Sequence, residues 1–140
     1  MSKYFMFDAV VECNHSHIHL KCDGDEWSVP ATESRLCEIL HKSNELLVFY
    51  ERMWTDLQYE YTKRHAALEA KSFYYSPEQI EEAKDWRKYG LTAEQERIRH
   101  NEEQRAEWQK LFGFCDARTY AFEKFDKYRR LATQAKNALN

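Results

Sequence analysis

Apolar residues follow a long helical period in the second quarter of the chain. From Leu36 they recur at alternating steps of four and three residues, which is the spacing of a helical face that packs on a partner over many turns. No Gly or Pro occurs in residues 31–76. The pattern therefore predicts one helix over residues 32–71, roughly 60 Å long and capped by Thr32 or Ser34. The apolar members of the series are Leu36, Leu40, Leu47, Tyr50, Trp54, Leu57, Tyr61 and Leu68.

Residues 1–30 instead show the period of two that is typical of strands. Residues 4–11 predict a first strand with apolar groups on both faces, and residues 17–22 alternate cleanly between apolar and polar. Asp23-Gly24 is a hairpin signal, after which residues 26–29 return as a third strand. We expect a small antiparallel β-meander that lies on a helix, because three strands with one apolar face are not stable alone.

The remaining sequence predicts three shorter helices. Residues 76–79, Ser-Pro-Glu-Gln, combine a cap, a first-turn proline and a capping-box glutamine, so a second helix should run to about Lys88 and stop at Gly90. Thr92 should cap a third helix that ends near Phe112-Gly113. Asp116 should then cap a fourth helix that continues to about residue 138.

These elements predict a mainly α fold in a single domain spanning residues 1–140. Residues 1–30 would form the β-meander, and residues 31–140 an elongated antiparallel helical bundle of one ~40-residue helix and three shorter ones. The third helix is the least apolar, because residues 99–107 contain no large apolar side chain. That stretch predicts either a solvated helix or a surface for a polar partner.

Composition narrows the class of protein. The net charge of −3 does not imply nucleic acid as a partner, and no apolar run is long enough for a signal peptide or a membrane span. We therefore expect a cytoplasmic chain with reduced thiols. The four cysteines are Cys13, Cys22, Cys37 and Cys115.

No coherent set of catalytic residues is visible. Three scattered glycines cannot build a phosphate-binding loop, and neither Cys37 nor Cys115 has a general base that the sequence can name. We predict that the protein is not an enzyme and that it carries no cofactor.

The first functional hypothesis is a protein–protein interaction module: an adaptor, assembly factor or inhibitor that occupies a partner's surface. Self-association into a homodimer is a corollary. The long apolar face is poorly matched by the polar third helix around residues 50–61, and three aromatics fill the connection after the long helix. The candidate partner-binding residues are Tyr50, Trp54, Leu57, Tyr61, Phe73, Tyr74 and Tyr75.

Two alternatives remain open. The C-terminal helix interleaves Lys124, Lys127 and Arg130 with aromatic residues, a composition found in nucleic-acid-associated regulators. Zinc favours thiolate and imidazole ligands, and Cys13 with His17 or His19 is the best ligand set for a small zinc-binding protein. Strand alternation places both histidines on the solvent face, so the preferred prediction is no metal.

Overall fold

Two long helices and a small sheet make up most of this computed structural model. The structure describes residues 5–84, 87–88 and 91–140, with the backbone alone for residues 87, 88 and 91. A 3₁₀ turn at Phe7–Ala9 precedes the first strand. The other elements are β1 (Val10–Cys13), β2 (His17–Cys22), β3 (Asp25–Pro30), α1 (Glu33–Lys71), α2 (Pro77–Glu82), β4 (Arg87–Lys88), β5 (Leu91–Thr92) and α3 (Ala93–Leu139). The predicted mainly α class with an N-terminal antiparallel meander is confirmed.

The chain divides into two compact units. Unit 1 comprises residues 1–55 and 119–140, and unit 2 comprises residues 56–118. Helices α1 and α3 each contribute residues to both units. The single domain and the elongated bundle that the sequence predicts stay predictions.

Unit 1 has a core formed by the sheet and the two long helices. The strands pair in the order β1-β2-β3, and the connection between β2 and β3 is the predicted Asp23-Gly24 turn. Both turn residues have positive φ, 52° and 84°, as a type I′ hairpin requires. The buried side chains of this core are Ala9, Val10, Cys13, Ile18, Leu20, Val29, Leu36, Ile39, Tyr128, Leu131 and Ala135.

The first strand differs from its prediction. Alternation predicted a strand over residues 4–11, but residues 7–9 form the 3₁₀ turn and β1 begins at Val10. Tyr4 lies outside the described residues. Ala9 and Val10 are buried in succession and the pairing of β1 with β2 is irregular after Val10, so a strict period of two does not hold here. The backbone N–H of Cys13 donates to Gln134 Oε1 at 2.9 Å, and a side chain of α3 thereby occupies this edge of the sheet.

Three helix starts agree with the sequence. Thr32 Oγ1 accepts from the N–H of Arg35 at 3.2 Å and caps α1. Ser76 and Gln79 form the predicted capping box at α2. Thr92 and Gln95 form a second capping box at α3. Thr92 Oγ1 accepts from the N–H of Gln95 at 3.1 Å, and Gln95 Oε1 accepts from the N–H of Thr92 at 3.2 Å.

The second helix is shorter than predicted. It ends at Glu82 rather than near Lys88, because Arg87–Lys88 pairs with Leu91–Thr92 as a short antiparallel ladder. The predicted stop at Gly90 lies outside the described residues.

The prediction of four helices is wrong, because the described residues contain three α-helices. The predicted third and fourth helices are one continuous helix, α3, which passes through Gly113 and Asp116. A single interior glycine costs a helix only about 1 kcal/mol, which packing on either side can offset. Leu111 is buried just before it, and the Phe114 ring just after it lies 4.7 Å from the guanidinium of Arg64.

We expect Gly113→Ala to stabilise the protein. Gly113 has helical geometry and a Cβ there would meet no atom within 4 Å, so alanine should add about 0.5–1 kcal/mol to the free energy of unfolding. Gly24→Ala is the matched control: a Cβ there also meets nothing, but its φ of +84° should make alanine destabilising. Urea unfolding of both variants tests this, and a loss of stability in Gly113→Ala would contradict a continuous α3.

Candidate protein-interaction surface

Residues 72–76 connect α1 to α2, and we call them the aromatic segment. Side chains of α3 bond to this segment. Asn101 is buried; its Oδ1 accepts from the N–H of Tyr75 at 2.8 Å and its Nδ2 donates to the carbonyl of Tyr75 at 3.0 Å. His100 Nε2 donates to the carbonyl of Phe73 at 2.9 Å. Trp108 Nε1 donates to Ser72 Oγ at 2.9 Å. Two residues of the polar stretch 99–107 therefore bond within the chain, while most of that stretch is exposed.

Ring contacts add to these hydrogen bonds. The ring of Phe73 stacks on His100 with centroids 4.2 Å apart, and Tyr75 meets the same imidazole edge-on at 5.3 Å. The guanidinium of Arg97 lies 4.9 Å from the centroid of Tyr75. Two of the three aromatics are thus packed on α3, while Tyr74 is 46% exposed.

Tyr74 contributes to an open groove in unit 2, which we call the aromatic groove. It has a volume of about 570 Å³. The indole of Trp108 packs between His65, at 5.4 Å, and Phe112, at 6.1 Å, and Phe112 is 52% exposed. The groove is lined by Glu69, Ser72, Tyr74, Arg105, Trp108, Gln109 and Phe112.

The groove carries one charge of each sign. Glu69 lies on α1, where its carboxylate is 3.6 Å from Nδ1 of His65. Arg105 lies on α3, and within the described part of the chain no carboxylate is within ion-pair distance of its guanidinium. The floor between these charges is aromatic.

A second depression of unit 2, the basic cleft, has a different charge. Its volume is about 400 Å³, and three cations and one carboxylate line it. Its residues on α3 lie on the helix face opposite those of the aromatic groove, as the 100° step per residue requires. The lining comprises Arg64, Ala67, Leu68, Lys71, Gln104, Glu107, Lys110, Leu111 and Phe114.

Unit 2 buries few large apolar side chains. Among its residues whose burial the structure describes, Leu111 is the one large apolar side chain that is buried. Phe73, Ile98 and Phe112 are exposed, and Trp108 is half-buried. Fully burying an aromatic or branched aliphatic side chain contributes about 1.5–3 kcal/mol to stability. The exposed apolar side chains of unit 2 do not make that contribution in full.

The seven predicted partner-binding residues divide between the two units. Tyr50 and Trp54 belong to unit 1, where Tyr50 stacks on Tyr128 at 5.9 Å and Trp54 contacts Phe122 at 5.4 Å. Leu57 and Tyr61 belong to unit 2. All four are half-buried. Of the predicted set, the aromatic groove contains Tyr74.

Six groove residues were missed by the sequence reasoning, and four of them lie on α3, in and beside the polar stretch of the predicted third helix. A usable signal was present, since the four on α3 recur at steps of three, one and three and must share one helical face. The six are Glu69, Ser72, Arg105, Trp108, Gln109 and Phe112.

The three cationic candidates for nucleic-acid binding lie against other side chains of unit 1. Lys124 Nζ is 5.6 Å from the ring of Tyr120, and Arg130 pairs with Asp126 at 3.2 Å. Burial, and then the charge of Lys124, lowers the pKa of Lys127.

The structure does not bring the zinc candidates together. Cys13 points into the core and is paired with Ile18, whereas His17 and His19 point to the other face of the sheet. Burial, and then the charge of Glu12, raises the pKa of the Cys13 thiol. No group of three or more His, Cys, Asp or Glu in the described part of the chain is placed to hold a metal ion.

Comparison with protein-family models, with curated proteins and with solved structures finds no match for this chain. None of the helices in the described ranges has both the length and the apolar content needed to cross a membrane.

We expect Asn101→Asp to loosen the aromatic segment. The substitution replaces the Nδ2 donor with an oxygen facing the carbonyl of Tyr75, and a buried unpaired acceptor costs about 1–3 kcal/mol. Urea unfolding, together with faster hydrogen exchange at the Tyr75 amide, checks this. Glu102→Gln, at the neighbouring exposed position, is the control and should change neither quantity.

We expect stability to fall at alkaline pH through two tyrosines of unit 1. Burial is the largest cause that raises the pKa of both Tyr50 and Tyr128. Their stabilising contribution is complete below the unfolded pKa of about 10 and is lost as pH rises through the higher folded value. In urea unfolding from pH 8 to 11, Tyr128→Phe should flatten this decline. Tyr59→Phe, at an exposed position, should not, and equal slopes for all three proteins would contradict the assignment.

Proposed function

We propose that this chain is a non-enzymatic protein–protein interaction module and that the aromatic groove is its binding surface. One observation carries the proposal: Tyr74, Trp108 and Phe112 line an open groove in a unit that buries little apolar surface of its own. Adaptors, assembly factors and inhibitors all act by occupying a partner's surface in this way. The proposal needs no cofactor.

Aromatic residues beside an arginine favour a protein partner. Tyr, Trp, Phe and Arg are enriched at protein interfaces. Truncating a well-packed aromatic anchor commonly costs about 2 kcal/mol or more of binding free energy, which corresponds to a loss of affinity of about thirtyfold. The groove combines three aromatic rings with Arg105 on the same face of unit 2. A partner that buries these rings would gain the free energy of apolar burial that unit 2 itself leaves unused.

The groove is also held in place before any partner binds. Asn101 and His100 fix the backbone on either side of Tyr74, and Ser72 accepts a hydrogen bond from the indole N–H of Trp108. A surface that is already ordered loses less conformational entropy on binding, which favours affinity.

We place this function in the cytoplasm, because Cys13, Cys22, Cys37 and Cys115 are all free thiols, as expected in a reducing compartment. Nucleic acid has less support as a partner, since Arg130 is already paired with Asp126.

Selection of random peptides displayed on phage against the full-length protein tests the function. We expect peptides that bind the wild type and lose about tenfold or more in affinity to Tyr74→Ser and to Phe112→Ser, which remove exposed anchors. Phe122→Ser, a 45% exposed position of unit 1, is the matched control and should bind like the wild type. Selected peptides that bind all three variants equally would place the function elsewhere.

A further inference from the structure

We propose that the occupant of the aromatic groove is a second copy of this chain. In the resulting homodimer, residues 56–118 of the two copies would face each other across their grooves. This inference rests on the proposed function and names its partner. Three features of unit 2 favour this arrangement: the direction of its two helices, the level of the groove charges along them, and the charge of the opposite face.

Helices α1 and α3 run antiparallel within unit 2. Successive residues along α1 contact progressively earlier residues of α3. Gln58 Oε1 accepts from Arg118 Nη1 at 2.9 Å, and the ring of His65 meets that of Trp108 with centroids 5.4 Å apart. Further on, Tyr75 bonds to Asn101. A two-fold axis parallel to these helices would therefore place α1 of each copy antiparallel to α3 of the other, so that all neighbouring helices alternate in direction.

The two groove charges lie at nearly the same level on opposite helices. Trp108 contacts both His65 and Ser72, and Glu69 lies between those two residues on α1. Arg105 precedes Trp108 by one turn on the same face of α3. The same two-fold axis therefore brings Arg105 of each copy opposite Glu69 of the other, and the pair forms twice. The guanidinium of Arg105, which has no carboxylate partner among the described residues, gains one in this way.

The opposite face of unit 2 argues against self-association there. Arg64, Lys71 and Lys110 line the basic cleft with Glu107 as its one carboxylate. Arg64 pairs with Glu60 and Lys110 with Glu107, both at 3.5 Å, but the lining keeps an excess of positive charge. Two copies docked through that cleft would bring these positive excesses together, which is costly at an interface. The aromatic groove, with one Glu and one Arg, has no such excess of one sign. Charge therefore selects the groove over the cleft as the self-complementary surface.

Sedimentation equilibrium of the full-length protein tests the first step. We expect a monomer–dimer equilibrium, and Phe112→Ser should raise its dissociation constant about thirtyfold by removing a central aromatic anchor. Phe122→Ser, in unit 1, is the matched control and should leave the constant unchanged. Circular dichroism confirms that each variant retains its helices. A wild type that stays monomeric at every concentration overturns the proposal.

A charge exchange tests the pairing itself. Arg105→Glu and Glu69→Arg should each raise the dissociation constant about tenfold, because each places like charges opposite one another. The double variant restores opposite charges across the two-fold axis and should return to within about threefold of the wild type. Lys110→Glu, in the basic cleft, is the control for a general charge effect and should leave the constant unchanged.

The outcomes separate this inference from the proposed function. A monomer that still selects peptides through Tyr74 and Phe112 overturns the dimer and leaves the interaction module standing. A dimer that is insensitive to both Phe112→Ser and the charge exchange also overturns the inference, since the copies would then meet through another surface. Rescue by the double variant, with Lys110→Glu unchanged, supports it.

Discussion

The pairing of the Asn101 amide with both backbone groups of Tyr75 is the constraint on which unit 2 depends. The chain must reverse after α1, and the non-helical residues there have backbone groups that a helix can no longer satisfy. Asn101 offers one donor and one acceptor in the geometry of a strand neighbour, and His100 and Trp108 anchor Phe73 and Ser72 beside it. Tyr74 is thereby carried to the groove without being packed on α3 itself.

Local chemistry explains which parts of this fold the sequence could predict. The Thr32, Ser76 and Thr92 caps and the Asp23-Gly24 turn each depend on a few adjacent residues, and all four were predicted. The break expected at Gly113 was wrong because one glycine is a small penalty beside the packing of a long helix. Hydropathy could not show that His100 and Asn101 bond to the distant aromatic segment, since such side-chain bonds leave no apolar period. The groove joins two separate parts of the chain, so no single window of sequence displays it.

The two faces of unit 2 divide apolar and charged groups unequally. One face has aromatic rings flanked by a single Glu and a single Arg, and the other has three cations and one carboxylate around mainly aliphatic side chains. A helix pair with two such faces can bury only one of them against a like surface without repulsion. The cationic face remains in water, where Lys and Arg cover apolar surface with their stems and keep their charges solvated. In the proposed homodimer, the same two helices would supply one surface that favours association and one that opposes it.

The aromatic groove is assembled from two separate stretches of the chain. Glu69 to Tyr74 and Arg105 to Phe112 become neighbours only when the chain is folded, and the bonds from Asn101 and His100 hold that proximity. A synthetic peptide copied from either stretch would lack the opposite wall, so neither peptide would reproduce the proposed binding surface. An antibody raised against the assembled surface would, for the same reason, report the native conformation and ignore denatured chain. The surface belongs to the fold rather than to any linear motif, and transplanting it would require both stretches together with the helix pair that positions them.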